Sequence, residues 1–143
     1  MPTNLRVVLD TNVIVSGFIS PSGPSGQILK ALKEKKFTLL TSQPINEEVL
    51  EVMNRSHIRD KYGLGEQLFD VAFILWEIAE VVTDLPIVKV SKDPDDNKFL
   101  SAVQGGLAHY FVTGDIKDLL HLREHKDTRI VAPSEFLKVL STR

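Results

Sequence analysis

The residues best placed for chemistry in this chain are acids. Arg6-Val7-Val8-Leu9-Asp10-Thr11-Asn12-Val13 is a short apolar, β-favouring run that ends abruptly in a carboxylate. Such a run reads as a buried parallel strand. Ligands in open α/β sheets gather at the carboxyl ends of strands, which puts Asp10 where reactions take place. The stretch His109 to Thr113, followed by Gly114-Asp115, repeats the arrangement. Two further acids follow apolar helical stripes. Glu48 stands three residues after Ile45 and four before Val52, on a stripe's margin, where a carboxylate is costly unless it meets a cation or a partner. Asp96 lies in line with Leu100, Val103 and Leu107. Plainer readings stand beside these. Asp10-Thr11-Asn12 and the Asp93-Pro94-Asp95-Asp96 cluster also suit helix capping, and Glu48 also suits a salt bridge to a neighbouring helix.

In a parallel sheet with right-handed crossovers, strand carboxyl ends and the following helix amino ends share one face. Asp10, Glu48, Asp96 and Asp115 can then converge. Unpaired carboxylates brought together repel and raise one another's pKa values, and a divalent cation removes that conflict. The chain has no cysteine, so ligands are limited to oxygen and histidine, and oxygen donors suit Mg²⁺ or Mn²⁺. Such an ion, or a pair about 3.5–4 Å apart, activates water and stabilises charge during phosphodiester cleavage.

Positioning these acids requires alternating strands and helices. Strands are predicted at residues 7–9, 37–41, 86–90, 109–113 and 129–132. Helices are predicted at 13–19, at 27–36, and from Ser42 through Met53, where Pro44 is tolerated in the first turn and Ile45, Val49, Val52 and Met53 form the stripe. A short helix or turn at 57–62 is broken by Gly63-Leu64-Gly65, and the longest helix follows at 66–82. Its charged residues Asp70, Glu77 and Glu80 share a narrow face, so most of its circumference is apolar and suits burial or a second copy of the chain. Further helices are expected from Asp96 to a close at Gly105-Gly106, at 116–124, and from Ser134 through Leu140. Residues 20–26 read as a loop, a flap over a site or a plain turn. The alternation predicts an α/β fold: a three-layer α/β/α sandwich around a central parallel sheet of about five strands, forming one domain over residues 1–143.

Composition bounds the rest. The 43% hydrophobic and 25% charged residues are ordinary for a soluble globular chain. No apolar stretch reaches the roughly 20 residues of a membrane-spanning helix, and residues 1–6 do not resemble a signal peptide. A cytoplasmic location is the expectation. The formal charge of −2 argues against a nucleic-acid partner, but setting four of the 19 acids aside as metal ligands tips the balance towards the 17 basic residues. Those cluster at Lys30 to Lys36, Arg55 to Lys61 and Lys117 to Arg129, either to steer phosphates or as solvated helix faces. His121 and His125 are spaced i, i+4 on a polar stretch, which suits solvated side chains.

Over essentially its whole length the chain resembles the PIN-domain family. The resemblance rests on Val8-Leu9-Asp10-Thr11-Asn12-Val13, on Pro44 to Met53 with Glu48, on Asp93-Pro94-Asp95-Asp96-Asn97-Lys98-Phe99-Leu100, on Val112-Thr113-Gly114-Asp115, and on Ser134-Glu135-Phe136-Leu137. Each piece is weak alone; their order and spacing carry the match. It is most similar to the branch of bacterial and archaeal VapC-like toxins of type II toxin–antitoxin pairs. That resemblance implies a Mg²⁺- or Mn²⁺-dependent ribonuclease, often a homodimer, held inactive by a cognate antitoxin, whose acidic pocket cuts single-stranded or loop RNA. Asp10, Glu48, Asp96 and Asp115 match the family's metal-binding acids, and Asn12 and Thr113 match neighbouring polar positions that orient them. Asp93 or Asp95 can stand in for Asp96, which is preferred because it falls on the Leu100–Val103 stripe. Asp118 is an auxiliary acid or a solvated helix-start residue.

Other readings fit less well. A haloacid-dehalogenase-type phosphatase needs a second acid two positions after Asp10, where this chain has Asn12. A receiver domain needs an acidic pair after the first strand and a lysine after the fifth, where Ala132-Pro133 stands. The surviving alternative is a catalytically silent PIN-like module that binds nucleic acid or protein.

Overall fold

The opening apolar run forms the centre of the sheet. In the computed structural model, which describes residues 4–90, 93–115, 119 and 122–142, β1 (Arg6–Leu9) has Val7, Val8 and Leu9 almost wholly buried. It leads through Asp10 into α1 (Thr11–Ile19), then α2 (Pro24–Lys33) and β2 (Thr38–Thr41). The loop between α1 and α2 is shorter than the sequence suggests. Pro24, with its fixed φ and missing N–H, opens α2, leaving only residues 20–23 outside the helices.

Ser42 caps α3 (Gln43–Met53) as expected, its hydroxyl accepting from the Ile45 N–H at 3.4 Å. Next come α4 (Ser56–Tyr62), ended by Gly63 in the left-handed region at φ 63°, and α5 (Gln67–Phe73). A π-helical turn (Ile74–Ile78) extends α5, and β3 (Glu80–Val81) follows. Two expectations fail here. The long helix stops at Ile78, and the third strand is Glu80–Val81, not 86–90. The reason is an open sheet edge. Glu80 and Val81 pair with β2, the Val82 N–H continues to the Thr41 carbonyl at 2.8 Å, and Arg6 grips the Glu80 carboxylate with both guanidinium nitrogens. Residues 82–90 find no further edge and run irregularly, with Ile87 exposed.

A 3-10 turn (Pro94–Asp96) leads into α6 (Asn97–Gly106), followed by β4 (Tyr110–Val112), β5 (Glu124–His125), β6 (Thr128–Val131) and α7 (Pro133–Ser141). The helix expected at 116–124 falls largely outside the described residues, and its end, Glu124, belongs to a strand. The helical glycines do not close α6 by themselves: Leu107 takes the left-handed terminating position, φ 54°.

The sheet has six strands in the order β3-β2-β1-β4-β6-β5. All neighbours are parallel except β5, which forms a hairpin with β6. Helices cover it in an α/β/α arrangement. Phe99 stacks on Phe111 at 5.8 Å, and Phe136 meets Tyr110 at 5.8 Å and, edge-on, Phe37 at 5.3 Å, tying α6 and α7 to β4. From β1 the chain moves outward through β2 and β3, then returns to the other side of β1 as β4. The switch point between β1 and β4 is where open α/β sheets bind ligands.

Candidate functional site

Asp10 and Thr113 stand on either side of that switch point. Parallel pairing sets Leu9 beside Val112, and the Asp10 N–H donates to the Val112 carbonyl at 2.9 Å. The next residue of each strand therefore emerges at the same height. Thr113, fully buried, donates from Oγ1 to Asp10 Oδ2 at 2.6 Å and accepts from the Asp115 N–H at 3.0 Å. One hydroxyl thus fixes the Asp10 carboxylate and the backbone that presents Asp115. Asp10 makes no close capping bond to α1, although the Asn12 amide is near enough to favour its ionised form.

Burial pushes the Asp10 carboxyl above its ordinary pKa. The Thr113 hydroxyl opposes this, while the negative charges of Glu48 and Asp115 add to it. Asp10 is a buried acid with two other acids near enough to feel.

Glu48 comes from the second turn of α3, the helix that Ser42 starts. Its Oε2 accepts from Thr11 Oγ1 and its Oε1 from Lys98 Nζ at 2.7 Å. Asp96 ends the 3-10 turn before α6 and is half-buried, whereas Asp93 and Asp95 are exposed. Asp93 shapes that turn: its Oδ1 accepts from the Asp95 N–H, and its carbonyl from the Asp96 N–H, both at 3.0 Å.

These residues meet in an open cleft of about 980 Å³, lined by Asp10, Glu48, Asp96 and Asp115 together with Asn12 and Asp93. Thr113 lies behind it. Asp95, Glu47 and Glu51 also reach the lining, which among the described residues makes eight carboxylates against Arg55 and Lys98. Glu47 and Glu51 are exposed and sit at the rim. Sequence reasoning missed Thr11 and Lys98, the two donors to Glu48. Thr11 read only as a capping residue beside Asp10. Lys98, two positions after Asp96, gave no signal, because its role depends on α3 packing close by. Asp118 and His121 lie outside the described residues.

Among the described residues, no three histidine or acid side chains stand close enough to form a ready-made metal cluster. The donor chemistry nevertheless fits a hard divalent cation: the cleft's acids offer oxygen donors, and the charged form of its deepest acid is disfavoured by burial and then by like charge. Mg²⁺ is commonly held through one or two carboxylates, with water in the remaining positions, so three direct ligands are not required.

Comparison with known proteins agrees with this frame. Residues 6–117 match the PIN domain, a stretch running from β1 to just past Asp115. The chain belongs to the PIN-domain family. It is 28% identical over 142 residues to an uncharacterized protein of Methanocaldococcus jannaschii, MJ1680, covering 94% of this chain and 90% of that one. Its fold is similar to a chain in the crystal structure of VapBC2 from Rickettsia felis bound to a DNA fragment from their promoter. There the TM-score is 0.57 and the identity 15%, covering 90% of this chain and 98% of that one. No helix among the described residues is long and apolar enough to cross a membrane.

Proposed function

We propose that this protein is a metal-dependent endoribonuclease, a hydrolase of RNA phosphodiester bonds, acting as the toxin of a toxin–antitoxin pair. The observation that carries this reading is that four acids from four separate segments line one cleft at the β1/β4 switch point. The Asp10 carboxyl is pushed up there by burial and by its acidic neighbours. Such an arrangement costs stability and is the kind found where acids must work. Membership of the PIN-domain family supports it, and the likeness to a VapBC2 chain supports the toxin assignment and a cognate antitoxin partner. A cytoplasmic homodimer completes the proposal.

Asp10, Glu48, Asp96 and Asp115 would hold Mg²⁺ or Mn²⁺, and Asn12 and Asp93 would steady its surroundings. Bound there, the cation would activate water and neutralise the charge that develops on the phosphate. The chain's own part is positional. Thr113 holds Asp10 Oδ2 in place, the kind of neighbouring bond that would orient a ligating carboxylate.

The test is cleavage of a mixed-sequence single-stranded RNA with Mn²⁺ or Mg²⁺ and with chelator. Asp10→Asn should lose turnover by at least about 100-fold, the scale of losing an oriented catalytic group, while staying folded. Glu47→Gln, at the rim, should keep activity within about twofold. Equal effects from the two would overturn the assignment. One observation favours a second reading, a binding module without turnover: both Glu48 oxygens are already engaged by Thr11 and Lys98. Cation binding with no cleavage of any RNA would decide for it.

A further inference from the structure

The two basic side chains that line the cleft among the described residues are held differently. Arg55 lies at the rim, bidentate to Glu51 at 3.0 and 2.9 Å in an exposed i, i+4 pair. Lys98 reaches Glu48 instead, with its Nζ 2.7 Å from Oε1 and both side chains mostly covered, 23% and 24% exposed. Thr11, buried at 3% exposure, takes the other Glu48 oxygen. A helix lysine ordinarily extends its ammonium into water. Here it is committed to one of the acids that surround Asp10, and it offsets part of the negative charge of a half-buried cleft.

Resting on the metal-dependent reading above, we propose that Lys98 is a resident counter-ion. It holds Glu48 while the cleft lacks a divalent cation and gives up that carboxylate when one loads. Its released ammonium then pairs with a phosphate of the RNA. An ammonium and a dication on the same carboxylate repel each other, so the two compete. Thr11 is neutral and can keep its bond to Oε2 throughout. The lysine stem is long and flexible, and its head is a compact charge suited to phosphate, so it can exchange partners without movement of α6.

Two affinities moving in opposite directions test this. Mn²⁺ is titrated calorimetrically, without RNA, into metal-stripped wild-type protein, Lys98→Met and Lys98→Arg. Lys98→Met should bind Mn²⁺ about tenfold more tightly, because a positive charge has gone from beside the ion, and Lys98→Arg should stay near wild type. The KM for a single-stranded RNA oligonucleotide should rise severalfold in Lys98→Met and be largely restored in Lys98→Arg. A loosened or misfolded cleft weakens both affinities, so a tighter metal with a poorer KM is a signature that structural damage does not produce. If wild type binds Mn²⁺ and Lys98→Met binds it no better, the competition is overturned and the metal-dependent reading stands. If neither binds it, both fall. An unchanged KM would overturn the phosphate role.

Discussion

Asp10 has a cost that can be measured apart from any activity. Its native pKa lies above the ordinary carboxylate value, first because of burial and then because of Glu48 and Asp115. At low pH both folded and unfolded chains carry the proton, and the ionisation of Asp10 contributes nothing to stability. As pH rises through the carboxylate range, the unfolded chain releases its proton first while the buried carboxyl keeps its own. The folded state then binds more protons, so stability falls until the raised native value is passed. Asp10→Asn removes this penalty. The variant should be more stable than wild type by about 1 kcal/mol at neutral pH, as when a strained functional group is relieved. Urea unfolding with chelator present would show that advantage at about pH 7 and its disappearance near pH 3, below the carboxylate range. A difference of the same size at both values would contradict the pKa direction. Added Mg²⁺ should reverse the order, since a ligand that binds only the folded wild type stabilises only that protein.

Two residues of α6 and its end should respond in opposite senses to substitutions that propensity alone ranks the other way. Gly→Ala inside a helix normally stabilises, by about 1 kcal/mol. A Cβ on Gly105, however, would stand 2.1 Å from the Asp84 backbone carbonyl oxygen, so Gly105→Ala should destabilise by about 1–3 kcal/mol, the cost of overpacking. Leu107 sits at φ 54° with 78% of its surface exposed. Leu107→Gly relieves that backbone strain with little packing lost, and should stabilise by about 0.5–1 kcal/mol. Urea unfolding of the two variants should bracket the wild type; a shift of both in one direction would refute the account. The pair also marks the limit of sequence reading. Strands at β1, β2, β4 and β6 were legible because buried runs such as Val7-Val8-Leu9 carry their own signal, and Ser42 announced α3. That Asp10, Glu48, Asp96 and Asp115 line one cleft was legible because Asp10 and Asp115 follow such strands, while Glu48 and Asp96 follow helical stripes. What stayed hidden depended on tertiary partners: β3, made of two exposed residues at an open edge; the β5–β6 hairpin, whose left-handed residue is Lys126 instead of glycine or asparagine; and the Lys98–Glu48 pair, fifty residues apart in the chain.

Across the whole molecule, one face does not fit a solitary chain. Phe69, Phe73 and Trp76 recur at i, i+4 and i+7 along α5 and its π-helical turn, exposed by 83%, 58% and 48%. Isolated surface aromatics need no explanation, but an aligned row marks an interaction surface. The acids Glu66, Asp70 and Glu77 on the same segment are exposed beside it and disfavour phosphate, so a protein surface is the better match. A second copy offers an identical apolar row, and symmetric pairing through one shared patch is the commonest route to a homodimer. The purified protein, with no partner added, should therefore sediment as a dimer at micromolar concentrations, with an interface of about 800 Å² per subunit as stable pairs require. Replacing Phe69 and Phe73 together by Glu should yield a monomer. Both side chains are solvent-exposed in the single subunit, so the monomer's own fold should lose no more than about 0.5 kcal/mol. Its cation affinity should be unchanged, because no residue of this row lines the acidic cleft. A wild-type protein that sediments as a monomer would assign the row to another protein partner, for which the antitoxin proposed above is the first candidate. A doubly substituted protein that remains a dimer would place the subunit contact elsewhere on the molecule.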